Sequence, residues 1–387
     1  MIEIGIAGKP NAGKSTFFKS ATLIDVAIAS YPFTTIEPNV GIAYVRTECV
    51  CKELGVKCGK CIDGWRFIPI KLIDVAGLVP GAHEGRGLGN EFLDNLRQAE
   101  GIIHVLDASG STDEEGNEVG VGEHDPVKDI EFLREELDMW LFGILKRNWN
   151  KIIRRIHLER RDPAKFIANQ LAGLGFEEWM VKKALKGKKV QEFDEKDLMN
   201  FARELRSVRM KMVIAGNKAD KAPENLINRL LSLKDEIVIP TSSYYELALR
   251  LASKNGYIKY IPGDNDFKVL KPLNERQKKL LDEIKSFMKK FGGTGVQKVI
   301  NTLVFDVLDY IVVYPVEDEN KYTDSKGNIL PDAFLVKKGT TVKEFAYKIH
   351  TEMGEHFIYA IDAKRKIRIG EDYELKHNDV VKIVFAK

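Results

Sequence analysis

The octapeptide Gly8-Lys9-Pro10-Asn11-Ala12-Gly13-Lys14-Ser15 constrains this chain more than any other feature. It follows residues 2–6, which alternate apolar with small or polar as a strand does, and precedes a helical segment opening with Thr16, Phe17 and Phe18. A GxxxxGKS loop between strand and helix is a phosphate cradle, because glycines let the backbone wrap an anion and successive N–H groups point inward at it. The helix N-terminus adds partial positive charge. Lys14 is placed to reach the β- and γ-phosphates, and the Ser15 hydroxyl to bind magnesium. Asn11, Ala12, Gly13, Lys14, Ser15 and Thr16 are the expected phosphate contacts. A glycine-rich turn with an accidental Lys-Ser is the plain alternative, and the flanking strand and helix argue against it. By itself the loop does not separate ATP from GTP.

Three further stretches follow in a fixed order. Residues 211–216 form a buried-strand run that delivers Asn217-Lys218-Ala219-Asp220 at its carboxyl end, the edge where open α/β sheets bind ligands. An ionised Asp220 accepts two hydrogen bonds from the N1–H and exocyclic amine of guanine. Adenine offers neither donor, which leaves the carboxylate desolvated and unpaired at a penalty of roughly 1–3 kcal/mol or more. Asn217 is expected at the purine edge and the Lys218 stem over its face. A second strand, residues 236–240, ends in Thr241-Ser242-Ser243, where a backbone N–H at Ser242 or Ser243 is expected to meet the guanine oxygen. A polar loop opening a helix is the bland reading of residues 217–220.

Tyr31-Pro32-Phe33-Thr34-Thr35 and Asp74-Val75-Ala76-Gly77 complete the set. Thr34 and Thr35 lie between Pro32 and Pro38, and one hydroxyl, assigned to Thr35, completes the magnesium shell only when a γ-phosphate is bound. Asp74 follows a strand over residues 68–73 and is placed to hold magnesium through water, while the Gly77 N–H touches the γ-phosphate. Gly81, Gly85, Gly87 and Gly89 make the following segment one in which backbone changes cost little. Each stretch alone is an ordinary turn. Their order and spacing make a nucleotide switch the joint reading, with Lys14, Thr35 and Gly77 as its catalytic set. Many such switches place a glutamine directly after the DxxG glycine to orient the attacking water. Here that position is Leu78, so intrinsic hydrolysis is expected to be slow. Asn11 is a candidate ligand for a monovalent cation, which predicts potassium-stimulated turnover. His83 is a second candidate source of polarity, against the commoner reading of a solvated loop histidine.

The combination GKPNAGKST, YPFTTIEPNVG and DVAGLVPGAHEGRGLGN resembles the Obg–HflX superfamily and, within it, the YchF-related GTP-binding proteins. The likeness covers most of the chain. Members are similar in carrying an apolar residue where the glutamine would stand, which matches Leu78. The resemblance implies a P-loop GTPase, binding GTP or GDP with Mg2+ and associated with ribosomes or translation. Typical YchF proteins have a degraded base-reading motif and accept ATP, whereas residues 217–220 are intact here. GTP is therefore the expected nucleotide, as in archaeal and eukaryotic relatives that keep the standard motif. The alternatives are an ATPase of the YchF type, and a ribosome- or RNA-binding module that uses nucleotide only as a structural ligand. A small-molecule kinase is disfavoured, because no acceptor pocket is evident.

At 387 residues, with 44% hydrophobic and 30% charged content, the chain fits a globular protein of two or three domains. No stretch approaches the roughly 20 apolar residues that span a bilayer, and the first strand starts at Ile2, ahead of which no targeting peptide fits. The expected compartment is the cytoplasm, without a membrane partner, and a monomer is favoured. A net charge of +3 is too small to argue nucleic-acid binding by itself. The four cysteines, Cys49, Cys51, Cys58 and Cys61, are spaced C-x-C-x6-C-x2-C on an expected hairpin between Thr35 and Asp74. Four thiolates there can hold a tetrahedral zinc ion. Two disulfides and buried free thiols are the alternatives.

The expected fold is α/β: a G domain over 1–125 and 208–305, with a mostly parallel sheet and helices on both faces, an α-helical insertion over 126–207, and a β-grasp domain over 306–387. In the insertion, Asp125-Pro126 opens a pattern in which Ile130, Leu133, Leu137, Leu141 and Leu145 recur at helical spacing. It ends in a basic run, Lys146, Arg147, Lys151, Arg154, Arg155, Arg160 and Arg161, and a second cluster, 182–189, follows Trp179. A solvated helical face is the plain reading. Because acidic Glu131, Glu135, Glu136 and Asp138 precede the basic block, the segregated charge favours contact with the phosphate backbone of ribosomal RNA. Gly292-Gly293-Thr294-Gly295 is expected as a hinge or helix start. From about Asp306 the period changes: residues 311–315 and 333–337 read as a hairpin around a turn at 324–328, Gly339-Thr340-Thr341 caps a helix over 342–351, and a strand over 380–385 closes the chain. That ββαβ order is ubiquitin-like and resembles the TGS domain at the C-terminus of the same family, implying an RNA or regulatory partner. His350, His356 and His377 are too scattered for metal ligands and are assigned surface or packing roles.

Overall fold

The computed structural model describes residues 1–23, 39–75, 81 and 99–386. Thr34, Thr35, Gly77, Leu78, His83, Gly85, Gly87 and Gly89 lie outside the described residues. The larger sheet consists of β1 (Glu3–Ala7), β2 (Val40–Glu48), β3 (Trp65–Asp74), β4 (Gly101–Asp107), β5 (Lys211–Asn217) and β6 (Val238–Pro240), in the order β2-β3-β1-β4-β5-β6. Only β2 runs antiparallel to its neighbour. The register pairs Ile6 with Asp74, Ala7 with His104 and Asp107 with Asn217, so the carboxyl ends of four strands share one edge. That edge is where the motifs sit.

Side chains alternate across the sheet with the two-residue period of a strand. Ile4, Ile6, Ile103, Val105, Val213 and Ala215 share one core with Phe17 of α1 (Lys14–Thr22). Ile102, Leu106 and Ile214 contribute to cores on the other face, together with Ile130 and Leu133 of the helix Pro126–Glu159. With α2 (Cys51–Leu54) at the tip of the β2–β3 hairpin, this long helix is α3. It begins at an Asp125 cap, whose carboxylate accepts from the Val127 amide at 3.1 Å, and it spans 34 residues. Its first half belongs to the sheet. From Leu141 onward it builds a separate core with α4 (Pro163–Leu171), α5 (Glu178–Leu185) and α6 (Glu195–Arg209), centred on Trp149, Phe166 and Phe201. One helix therefore carries the arm rigidly out from the sheet.

The expected charge segregation on the arm is only half present. Glu136 and Asp138 are buried, with Glu136 accepting from the Gly81 amide at 2.8 Å and Asp138 from Arg206 at 2.5 Å. In the second basic cluster Lys182, Lys186, Lys188 and Lys189 pair with Glu178, Glu204, Asp197 and Glu192. Lys151, Arg154, Arg155 and Arg160, at the far end of α3, are exposed and have no ion-pair partner among the described residues.

After α7 (Glu224–Leu231), α8 (Ser243–Lys254), the two-stranded ribbon β7 (Ile258–Lys259) and β8 (Lys268–Val269), and α9 (Glu275–Phe291), the chain reaches α10 (Val296–Asn301), which widens into a π-type turn, Thr302–Val307. Of the two readings of 292–295, the structure shows a helix start at a packed junction rather than a hinge. Gly292 ends α9, and Gly295 starts α10 at φ 89°, where a Cβ would lie 2.2 Å from the Pro240 carbonyl oxygen.

The C-terminal sheet runs β10-β9-β13-β11-β12, built from β9 (Tyr310–Pro315), β10 (Phe334–Lys337), β11 (Phe357–Asp362), β12 (Ile367–Ile369) and β13 (Asp379–Phe385). β9 and β13 are parallel and the other neighbours antiparallel, with Phe345 of α11 (Val342–Ile349) buried against the sheet. The single helix expected over 342–351 breaks at His350 and continues as α12 (Thr351–Glu355). The domain docks on the β2–β3 hairpin: Tyr314, Val316, Leu330 and Leu335 share a core with Val45, Val50 and Ile68. His377 lies at this contact, its Nε2 3.3 Å from the Thr47 hydroxyl.

Candidate nucleotide site

The loop after β1 is shaped by positions that only glycine fills. Gly8 has φ 150° and a Cβ there would sit 2.2 Å from the Val105 carbonyl oxygen; Gly13 has φ 95° and its Cβ would sit 2.3 Å from Asn217 Nδ2. Helix α1 starts at Gly13 with no side-chain cap and no acidic residue in its first turn, so its N-terminal amides are open to an anion. Lys14 is buried, and its Nζ donates to the Lys9 carbonyl at 2.9 Å, across the cradle where a phosphate oxygen would compete for it. Burial lowers its pKa, against the opposing pull of Asp74.

The Ser15 hydroxyl donates to Asp74 Oδ2 at 3.3 Å. Burial raises the Asp74 pKa, while Lys14 and Ser15 act in the opposite direction. A hydroxyl and a carboxylate beside a phosphate cradle are the hard oxygen donors that magnesium takes alongside nucleotide phosphates, so the donor set fits that ion. Thr16 follows Ser15 in the same helical turn and is half-buried.

Asn217 brackets the site from the end of β5. Its Nδ2 donates to the Ala12 carbonyl at 2.9 Å, and its Oδ1 accepts from the Ser243 amide at 3.0 Å and the Ser243 hydroxyl at 2.8 Å. One amide hydrogen remains, which suits the acceptor N7 on a purine edge. Ser242 caps α8 by accepting from the Tyr245 amide at 3.3 Å, and its own amide donates to the Thr294 carbonyl at 2.9 Å. The structure thus gives Ser242 and Ser243 a positioning task that sequence reading did not assign. Lys218, at φ 58°, sends its Nζ to Asp107 Oδ2 at 2.8 Å, which anchors the head and leaves the stem along the site. Asp220 is half-buried and accepts no hydrogen bond among the described residues. Its neighbours Asn217 and Lys218, by contrast, both have hydrogen-bonded side chains.

Two contributors were missed from the sequence. Asp107 is fully buried and accepts from the Ser109 amide and hydroxyl, the Ser111 and Thr112 hydroxyls and Lys218. Burial opposes its charge, but the bonds from Lys218, Ser109 and Ser111 outweigh it and hold the pKa below the usual carboxylate range. Short hydroxyl residues after an apolar strand were the available signal. Glu246, also fully buried, holds Arg250 and the Tyr260 hydroxyl at 2.7 Å and the Thr294 hydroxyl at 2.5 Å, locking α8 to the 292–295 junction. Nothing local in the sequence marks it. Lys9 and Asn11 tie the loop down elsewhere. Lys9 Nζ reaches the Thr112 carbonyl at 2.7 Å and Asp129 at 2.9 Å, and Asn11 Nδ2 donates to the Gly116 carbonyl at 2.9 Å, leaving the Asn11 oxygen for other ligands.

Three family models match the chain. Residues 3–137 match the family described as 50S ribosome-binding GTPase, residues 215–318 the Obg-like GTPase YGR210-like, G4 motif-containing domain, and residues 322–385 the TGS domain. The chain is 55% identical, over all of both chains, to an uncharacterised GTP-binding protein of Methanocaldococcus jannaschii. It is 27% identical to the ribosome-binding ATPase YchF of Buchnera aphidicola, covering 98% of each chain. The crystal structure of a GTP-binding protein from Pyrococcus horikoshii superposes with a TM-score of 0.80 at 43% identity, covering 100% of both chains. No helix among the described residues is long and apolar enough to cross a membrane. With the ribosome-binding GTPase, Obg-like G4-motif and TGS models all matched in one chain, the protein belongs to the YchF-related group of Obg-like P-loop GTPases.

Proposed function

We propose that this protein binds GTP with magnesium in the cytoplasm and hydrolyses it slowly to GDP and phosphate, as a switch acting on ribosomes. The observation that carries the reading is the Asp220 carboxylate, half-buried and without a donor among the described residues, on a loop that Asn217 fastens to the phosphate cradle. Guanine supplies the paired donors this acceptor lacks; adenine supplies none. Lys14 and the α1 amides neutralise the phosphates, and Ser15, Asp74 and Thr35 hold magnesium, which would offset charge on the transferred phosphoryl group. Gly77 contacts the γ-phosphate and Leu78 leaves the attacking water without a glutamine, so turnover is slow and potassium at Asn11 raises it. The exposed basic end of α3 supports a ribosomal RNA partner, as do the names of the 50S ribosome-binding family and the Buchnera protein.

A second reading, ATP as the substrate, is favoured only by the names of relatives, among them the Buchnera protein and the Obg-like ATPase 1 of Rattus norvegicus. Single-turnover hydrolysis of GTP and ATP, with magnesium and in sodium or potassium chloride, separates the two. GTP is expected to turn over faster than ATP, and faster in potassium. Equal rates for the two nucleotides would reject the GTP reading, and equal rates in the two salts would reject the potassium site.

A further inference from the structure

Away from the nucleotide, the tip of the β2–β3 hairpin gathers all four cysteines of the chain. Cys49 follows β2, Cys51 opens α2, and Cys58 and Cys61 lie on the return to β3. Their sulfurs are within 4.8 Å of one another, with Cys49 and Cys58 at 3.7 Å and Cys51 and Cys61 at 3.6 Å, and none is in a disulfide. Four sulfurs around a tetrahedral zinc with bonds of about 2.3 Å lie about 3.8 Å apart. The cluster already has that size. Cys49, Cys51 and Cys58 are buried, so the fourth corner, Cys61, is the one open to solvent.

The surroundings suit a closed thiolate site. The backbone at Cys51 and Lys60 favours the thiolate forms of Cys49 and Cys58, as outer contacts to metal-bound thiolates do. A zinc ion with four thiolates is net negative and needs a cation nearby. Tyr314 of β9 lies close enough to Cys49 and Cys58 for their charges to act on its hydroxyl, and the Arg66 guanidinium lies 5.8 Å from its ring centroid. Arg66 Nη2 donates to the Pro331 carbonyl at 3.0 Å, whereas its Nη1 is buried with no partner among the described residues. The same tip carries Glu53, paired with Lys364 of the β-grasp domain at 2.8 Å. The cysteines therefore sit inside the contact between the two domains.

We propose that Cys49, Cys51, Cys58 and Cys61 bind one Zn2+ through four thiolates, and that the closed site fixes the hairpin tip as the platform on which the β-grasp domain docks. The thiol protons pass to solvent as the ion binds, so affinity falls with falling pH. The short tip has little apolar core of its own, and a structural ion replaces it. Because β2 and β3 run the length of the hairpin to Asn39 and Asp74, the ion lies at the end remote from the nucleotide edge.

The full chain, purified without chelator, is expected to carry one zinc by plasma mass spectrometry. Cobalt in its place should give the intense visible bands of a tetrahedral thiolate site. Cys61→Ser, at the open corner, and the pair Cys51→Ser with Cys61→Ser should lose the metal. Without it, hydrogen exchange should accelerate severalfold in β9 and over residues 316–333, while GDP affinity is unchanged. A metal-free chain would overturn the site, whether all four thiols titrate or the pairs have oxidised to disulfides. Zinc that can be removed from the parent chain without any change in exchange on the docking face would overturn its proposed role there.

Discussion

A single buried histidine shows how tightly the nucleotide edge is specified. His104, on β4 beside the phosphate loop, is 2% exposed, and its pKa is pushed down to about 3 by burial first and then by the charges of Arg134, Lys14 and Lys9. In the unfolded chain the same side chain titrates near 6.5. Below that pH the unfolded state gains a proton the folded state refuses, so stability falls as pH drops from 6.5 towards 3. His104→Gln removes this contribution. Thermal unfolding of parent and variant across the window should show the parent losing stability more steeply; parallel curves would mean the imidazole is not held neutral. At the same scale, the Asn217 amide explains why Gly13 is glycine, since the amide occupies the space of a Cβ. Loop and bracket are one unit.

Among elements, the critical joint is between the phosphate loop and the start of α3. Lys9 and Asp129 form an ion pair at 2.9 Å with both side chains at most 3% exposed, and His124 Nε2 adds a contact to Asp129 at 2.8 Å. Burial raises the Asp129 pKa and Lys9 opposes that shift. Asp129→Ala strands the Lys9 ammonium, at an expected cost of about 3–5 kcal/mol in denaturant unfolding. The double change Lys9→Met with Asp129→Leu should recover much of it. A single-variant loss under ~1 kcal/mol would show the pair is not coupled. None of this joint was legible in the chain. Residues 8–15 and 217–220 could be read because their chemistry is contiguous and flanked by strands with a clear period. Asp129 and Glu246 could not, because Lys9 for Asp129, and Tyr260 and Thr294 for Glu246, come from separate segments, and for Asp107 only the hydroxyl residues that follow it gave a local signal, its Lys218 partner being remote. The 292–295 run left hinge and helix start both open, since glycine permits a flexible hinge as well as the close approach to Pro240 found here.

In the whole molecule, α3 links the nucleotide edge to an arm whose far end is the unpaired basic patch, and the β-grasp domain sits on the hairpin leading to the same edge. Which basic cluster stays free was not legible in the sequence, because two of the acidic partners of residues 182–189, Glu204 and Asp197, lie on another helix. Replacing Arg154, Arg155 and Arg160 with Ala should weaken ribosome association and flatten its salt dependence, by about 0.7–0.9 in log–log slope for each RNA phosphate no longer neutralised. Nucleotide affinity should not move; an unchanged salt slope would detach the arm from RNA. The switch role presupposes a guanine in the site. The most direct measurement is calorimetric titration with GDP, ADP and xanthosine diphosphate, on the parent and on Asp220→Asn. The parent should favour GDP over ADP by at least about tenfold, ~1.4 kcal/mol, and the variant should lose that preference and gain affinity for xanthosine diphosphate, whose ring presents a carbonyl where guanine has its amine. A parent chain that binds ADP as tightly as GDP would contradict the account at its base.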